Sequence, residues 1–197
     1  MAEQVPLLEQ YERIKALHKD EILFFRLGDF YEMFYGDAIE ASSLLGLTLT
    51  HRQEAPMCGI PHHAARGYIA RLLRAGKKIA VCEQLSAPGK GKGVIERGVV
   101  EVVTPGSVVD DDYLESGANN YIVAIGAFGD DMAIAWADAS TGEFGAGSFG
   151  RGDPERLRRE LFRLSPREVL VRESTLDDGD VARALSERPS IVLNRFP

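Results

Sequence analysis

Residues 28–38 read GDFYEMFYGDA, with four aromatics in the six positions from Phe30 to Tyr35, a Gly-Asp turn before them and a carboxylate, Glu32, among them. The preceding run, Ile22 to Leu27, is short and apolar and reads as a strand feeding that turn. On pattern alone so aromatic a stretch belongs in a core, because aromatics bury more apolar area than other side chains. The other reading is an exposed wedge, since an aromatic on a turn can enter a DNA minor groove, unstack a base step and kink the duplex.

Around this stretch the pattern alternates between helix and strand. Val5 to His18, with Pro6 near its start and apolar residues at Leu7, Leu8, Tyr11, Ile14 and Leu17, reads as an amphipathic helix. Asp37 to Leu45 reads as a short helix with Asp37 as N-cap and Gly46 as its stop. Leu47 to Thr50 is strand-like, Arg52 to Pro61 reads as loop, and a helix runs from His62 or His63 to Ala75, closed by Gly76. Lys78 to Gln84 and Val94 to Val103 read as strands around the loop APGKGKG. Residues 1–106 thus form a mixed-sheet α/β domain, and the turn-forming, acidic stretch 107–120 reads as a linker.

Beyond it, Tyr121 to Phe128, Met132 to Ala139 and Glu143 to Phe149 read as three hairpin-linked strands. A helix opened by Asp153-Pro154 runs through Leu164, with a Glu155 to Arg159 pair on its outer side. The strand Glu168 to Val171, the helix Asp178 to Ser186 and the strand Ile191 to Leu193 complete an order βββαβαβ over residues 121–197. That order resembles the first part of a ribonuclease-H-like fold, which is expected here to be incomplete.

The chain has 197 residues, 45% apolar and 27% charged, which suits two soluble domains and excludes wholesale disorder. No apolar run is long enough to span a bilayer, and the acidic start lacks the pattern of a secretory signal. Two cysteines, Cys58 and Cys82, are too few for a disulfide framework, so a reducing, cytoplasmic setting is expected. The net charge of −7 is uneven: up to Pro105 there are 13 basic and 13 acidic residues, and all six lysines lie there. Between Arg52 and Arg97 nine basic residues face three acids, a candidate footprint for phosphate.

The segments GDFYEMFYGDA, SSLLGLTLTHR, PMCGIPHHA, AGKKIAVCEQ and VIERGVVEVVTPGS, in that order, resemble the mismatch-recognition domain of the MutS family of DNA mismatch repair proteins. IAWADASTGEF and SPREVLV resemble that family's connector domain more weakly. The resemblance implies that Phe30 stacks on a mispaired base from the minor groove and that Glu32 hydrogen-bonds the base. It also puts Arg52, Met57, His63 and Arg97 on or near the DNA backbone, His63 standing where some relatives carry arginine. Tyr31 and Met33 are expected to face inward, and Lys90 and Lys92 to sit on a solvated loop. Stacking on an aromatic is worth about 1–3 kcal/mol per base whatever the base. A mispaired base costs less to unstack than a paired one, so selection is by deformability. Glu32, near phosphates, should accept from a base N–H or be protonated and donate.

The resemblance further implies double-stranded DNA with mismatches as the ligand, a MutL-type partner bound through the connector, a homodimeric full-length protein in the bacterial cytoplasm, and ATP with Mg only in an ATPase domain further along. Within this chain no enzyme activity and no cofactor is expected: GKGKG lacks the spacing and the Ser or Thr of a P-loop. The first strand of the second domain carries no carboxylate for nuclease chemistry, and Asp138 ends the second strand. Cys58, His62, His63 and Cys82 match no common zinc spacing. Asp29, Glu32 and Asp37 are accounted for by a turn and a cap. The rival reading is a protein-docking module working through the acidic second half.

Overall fold

Gly28 and Asp29 join two strands in a two-residue hairpin turn, with Gly28 at φ 57°, the positive first position that a type II′ turn requires. The computed structural model describes residues 5–85, 95–110, 112–114 and 117–197, and the chain divides into two units, Met1–Thr104 and Pro105–Pro197. In the first, the elements are α1 (Val5–Lys15), β1 (Glu21–Leu27), β2 (Phe30–Phe34), α2 (Tyr35–Leu45), β3 (Thr50–Arg52) and β4 (Ala55–Pro61). A 3-10 turn (His62–Ala64), α3 (Ala65–Arg74), β5 (Lys78–Gln84) and β6 (Arg97–Val103) follow. The strands form one six-stranded sheet in the order β3-β4-β2-β1-β5-β6, with only β1 and β5 parallel.

Both faces of this sheet are buried. Leu23, Phe25, Phe34, Ala55, Ala80 and Cys82 point to one side, where Tyr11 and Ile14 of α1 cover them. The intervening residues, Ile22, Phe24, Met33, Cys58, Ile60 and Ile79, are buried on the other, where Cys58 Sγ lies 3.5 Å from Ala38 O of α2. This explains why β1 and β5 read as continuous apolar runs rather than alternating ones.

Three sequence expectations change here. Leu47 to Thr50, expected as strand, only touches β3, which runs from Thr50 to Arg52. The segment Arg52 to Pro61, expected as loop, contains β4, paired on both sides, by β2 and β3. Asp37 is not the N-cap of α2, which starts at Tyr35 after Phe34. Its buried carboxylate instead accepts from Tyr11 Oη at 2.7 Å and Leu23 N at 3.0 Å and pairs with Lys15 Nζ at 2.8 Å. Gly46 does close α2, at φ 67°. Lys90, Lys92 and the loop around them lie outside the described residues.

The second unit contains β7 (Tyr121–Phe128), β8 (Asp131–Asp138), β9 (Glu143–Gly150), α4 (Pro154–Leu164), β10 (Glu168–Arg172), a one-turn α5 (Glu173–Leu176), α6 (Gly179–Ser186) and β11 (Val192–Phe196). The sheet order β11-β10-β7-β8-β9, antiparallel at β7-β8-β9 and parallel from β7 through β10 to β11, realises the βββαβαβ order. Asp153 caps α4 and Asp178 caps α6, each accepting from backbone N–H groups of the first turn. Leu157, Leu161, Leu164, Val181 and Ala184 pack on Val123, Ile125, Ile134 and Val169. Gly145 lies opposite Trp136, whose indole occupies the place of a side chain: a Cβ there would meet the ring at 2.2 Å. Glu155 pairs with Arg158 rather than Arg159, which lies 3.7 Å from Asp153.

Gly106 N donates to Glu168 Oε2 at 3.0 Å, Val108 is buried, and Asn120 N donates to Asp138 Oδ2 at 2.8 Å. Gly106, just before the expected 107–120 linker, and Asn120 at its end are thus hydrogen-bonded to strands of the second unit.

Asp138, which sequence position excluded as a nuclease ligand, ties down the turn after β8. Burial pushes its pKa up, but hydrogen bonds from Ser140 Oγ and from the N–H groups of Asn120, Ser140 and Thr141 outweigh that and hold it below the usual carboxylate value. A depressed folded-state pKa adds stability that is present above the unfolded value of about 3.9 and is lost as pH falls through the folded one. Asp138→Asn is accordingly expected to cost about 1–3 kcal/mol at pH 7 and to flatten the loss of stability in acid. Urea unfolding followed by the fluorescence of Trp136, the one tryptophan of the chain, reads both effects. Acid dependence equal to that of the parent would contradict the assignment.

Candidate nucleic-acid interface

Strand β2 sorts its side chains by parity. Phe30, first residue after the hairpin turn, is 48% exposed, whereas Tyr31 is 7% exposed and Met33 fully buried. The stretch is a core strand with one aromatic, Phe30, left half exposed. Tyr31 is held on the inner side, its ring 5.7 Å from Phe24, with its hydroxyl donating to Glu83 and the Arg26 guanidinium 5.5 Å above it. Burial and the Glu83 carboxylate push the Tyr31 hydroxyl up to about 12.

Glu32 shares the face of Phe30, opposite Phe25 on one side and Gly59 on the other. Its Oε2 lies 2.7 Å from Arg52 Nη1. Burial pushes its pKa up, and attraction to Arg52 and Arg97 opposes this without cancelling it. Pro61 pairs with Phe30, and His62 follows, its N–H donating to Asp29 O at 2.9 Å and fixing the hairpin tip. His63 is exposed beside it, the two imidazoles 5.9 Å apart. Met57, on β4 opposite Phe34, packs half-buried against the α1 side of the core.

Arg97, which the resemblance puts on or near the DNA backbone, is anchored within the first unit. It is 7% exposed, and its guanidinium donates to Arg26 O at 2.7 Å, Gln10 Oε1 at 2.9 Å and Ile95 O at 3.1 Å while lying 5.0 Å from the Phe25 ring. Those bonds fix it within the protein, where it supports the electrostatics of Glu32 rather than reaching outward. Arg52 and Arg97 lie at Glu32, whereas Arg66, Arg71 and Arg74 are on the exposed side of α3.

Cys58 and Cys82 are buried thiols, pushed up by burial to about 11 and about 12. Among the described residues no three His, Cys, Asp or Glu side chains form a metal-sized cluster. The sequence did not reveal the Glu32–Arg52 pair, because it joins β2 to β3 across β4, a strand that the composition concealed.

The family model MutS domain I matches residues 5–112, and MutS domain II matches residues 120–195. The DNA mismatch repair protein MutS of Treponema denticola is 51% identical over 206 aligned residues, covering 98% of this chain and 23% of the relative. The proteins of the same name from Treponema pallidum (strain Nichols) and Myxococcus xanthus are each 46% identical, over 98% and 94% of this chain and 21% of each relative. The chain spans about a fifth of the length of these relatives.

Proposed function

Since the chain belongs to the MutS family of DNA mismatch repair proteins and carries its domains I and II, we propose that the first unit binds mismatched or unpaired bases in duplex DNA, inserting Phe30 from the minor groove and hydrogen-bonding the displaced base with Glu32. The observation that carries this is the placement of Phe30: exposed at a braced hairpin tip, one residue away from the buried Tyr31 and on the face of Glu32. A rigid aromatic at a tip can unstack a weakened base step without itself needing to be reorganised. The raised pKa of Glu32 supports either role for it, because phosphates close by push the same way and make a protonated, donating carboxyl accessible.

On this reading Arg52, Met57 and His63 would follow the DNA backbone, and Arg97 would act on Glu32 from inside. On the same premise the longer protein would pass recognition to an ATPase domain that uses ATP and Mg, engage a MutL-type partner through the second unit, form a homodimer and act on DNA in the bacterial cytoplasm. Among the described residues no helix is long and apolar enough to cross a membrane.

The decisive experiment titrates labelled duplexes, identical except for one mismatched pair, with the purified chain at two salt concentrations. Tighter binding of the mismatched duplex, weakening with salt, is the expected result. Equal affinity for the two duplexes, or none for either, would favour the docking module instead.

A further inference from the structure

Glu32 stands between two arginines that differ in one respect: whether they can leave. Arg97 is fixed by donors to Arg26 O, Gln10 Oε1 and Ile95 O. Arg52 comes from the edge strand β3 and reaches over β4 to Glu32, with its side chain 28% exposed. The pair joins a cation that is 28% exposed to a carboxylate that is 14% exposed, so Arg52 leaves only when another donor takes its place at the carboxylate.

We propose that Arg52 has two positions and makes the grip on the DNA backbone conditional on the base: it holds Glu32 in the unbound chain and turns to a phosphate only when a displaced base takes Glu32 over. The inference rests on the mismatch-binding reading of Phe30 and Glu32. A base N–H that reaches Glu32 replaces the hydrogen bond from Arg52, while the fixed Arg97 continues to compensate the carboxylate. The released guanidinium, a planar fork suited to phosphate oxygens, is then free beside a polyanion. On matched duplex no base is displaced, so Arg52 stays with Glu32 and that phosphate contact is not made. Recognition of the base and grip on the backbone become one coupled event.

The coupling has a signature in salt dependence, since each phosphate contact adds about 0.9 to the slope of log affinity against log salt for duplex DNA. The chain is titrated with matched and mismatched duplex across a salt series. The expected slope for mismatched duplex is steeper than that for matched by about one contact. Glu32→Gln, which weakens the hold on Arg52, should steepen the matched slope to the mismatched value. Arg52→Gln should lower the mismatched slope to the matched value, Arg52→Lys should retain the difference, and the double variant should restore the shallow matched slope.

A brace that merely shapes β3 would change affinity without moving the slope difference, and that result overturns the proposal. Equal slopes in the parent chain, with a mismatch preference that depends on Phe30, overturn the proposal and leave the function standing. Absence of any mismatch preference overturns the function and this inference with it.

Discussion

Phe30→Ala is expected to remove about 1–3 kcal/mol of the preference for mismatched over matched duplex, roughly a 5- to 150-fold loss of discrimination, while leaving stability within about 1 kcal/mol of the parent. The ring is 48% exposed at the hairpin tip, so truncating it opens no cavity. Tyr31→Ala is the internal control. That ring is buried against Phe24, and its hydroxyl bonds Glu83, so its loss should cost about 3–5 kcal/mol as other aromatic truncations in cores do. Competition binding with the two duplexes reads discrimination, and urea unfolding reads stability. A Phe30→Ala chain that unfolds early yet discriminates normally would assign the ring to the core and remove the wedge from the mechanism.

The inward placement of Tyr31 and Met33 was legible because a strand alternates, but β2 buries both its faces: Phe34 is enclosed on the side of Phe30, and Glu32 is only partly exposed there. The second unit was legible for a related reason. Its strands are bounded by turn residues, and both longer helices carry side-chain caps, Asp153 and Asp178, that can be read one residue at a time. β4 was not legible, since APMCGIP holds two prolines and a glycine, which mark loops in isolation. It is a strand because β2 and β3 pair with it from both sides, and its prolines fall at the second and last positions, where the ladder tolerates a missing N–H. The burial of Arg97 was hidden for a different reason: nothing local reveals that carbonyls from residues 26 and 95 and the amide of Gln10 converge on it. Local rules reach single caps and turns; the charges around Glu32 depend on strands brought together from distant segments.

Asp37 gives that distinction a measurable form. As an N-cap it would contribute about 1 kcal/mol, the usual cost of replacing a capping aspartate by alanine. In the structure it is buried at the junction of α1, β1 and α2, accepting from Tyr11 Oη and Leu23 N and pairing with Lys15 Nζ, which also donates to Glu21 O at 2.6 Å. Burial and the Asp37 charge push the Tyr11 hydroxyl far up, so it stays a donor over the whole physiological range. Asp37→Ala would remove the carboxylate acceptor of a buried amide and the charge partner of Lys15, leaving Tyr11 Oη with Phe34 O and Lys15 Nζ with two backbone carbonyls, and breaking a buried pair by removing one partner costs about 3–5 kcal/mol. Asp37→Asn separates charge from shape: it can still accept from Leu23 N or Tyr11 but no longer neutralises Lys15, so an intermediate loss is expected. Tyr11 also packs edge-on against Phe25 and Phe34, at 5.5 and 5.1 Å between ring centroids, and Phe25 is the residue paired with Glu32. The damage should therefore reach the recognition face. Amide exchange in β1 and β2 should accelerate together, and mismatch discrimination should fall although Asp37 touches no DNA. A loss near 1 kcal/mol confined to the first turn of α2 would return Asp37 to the cap.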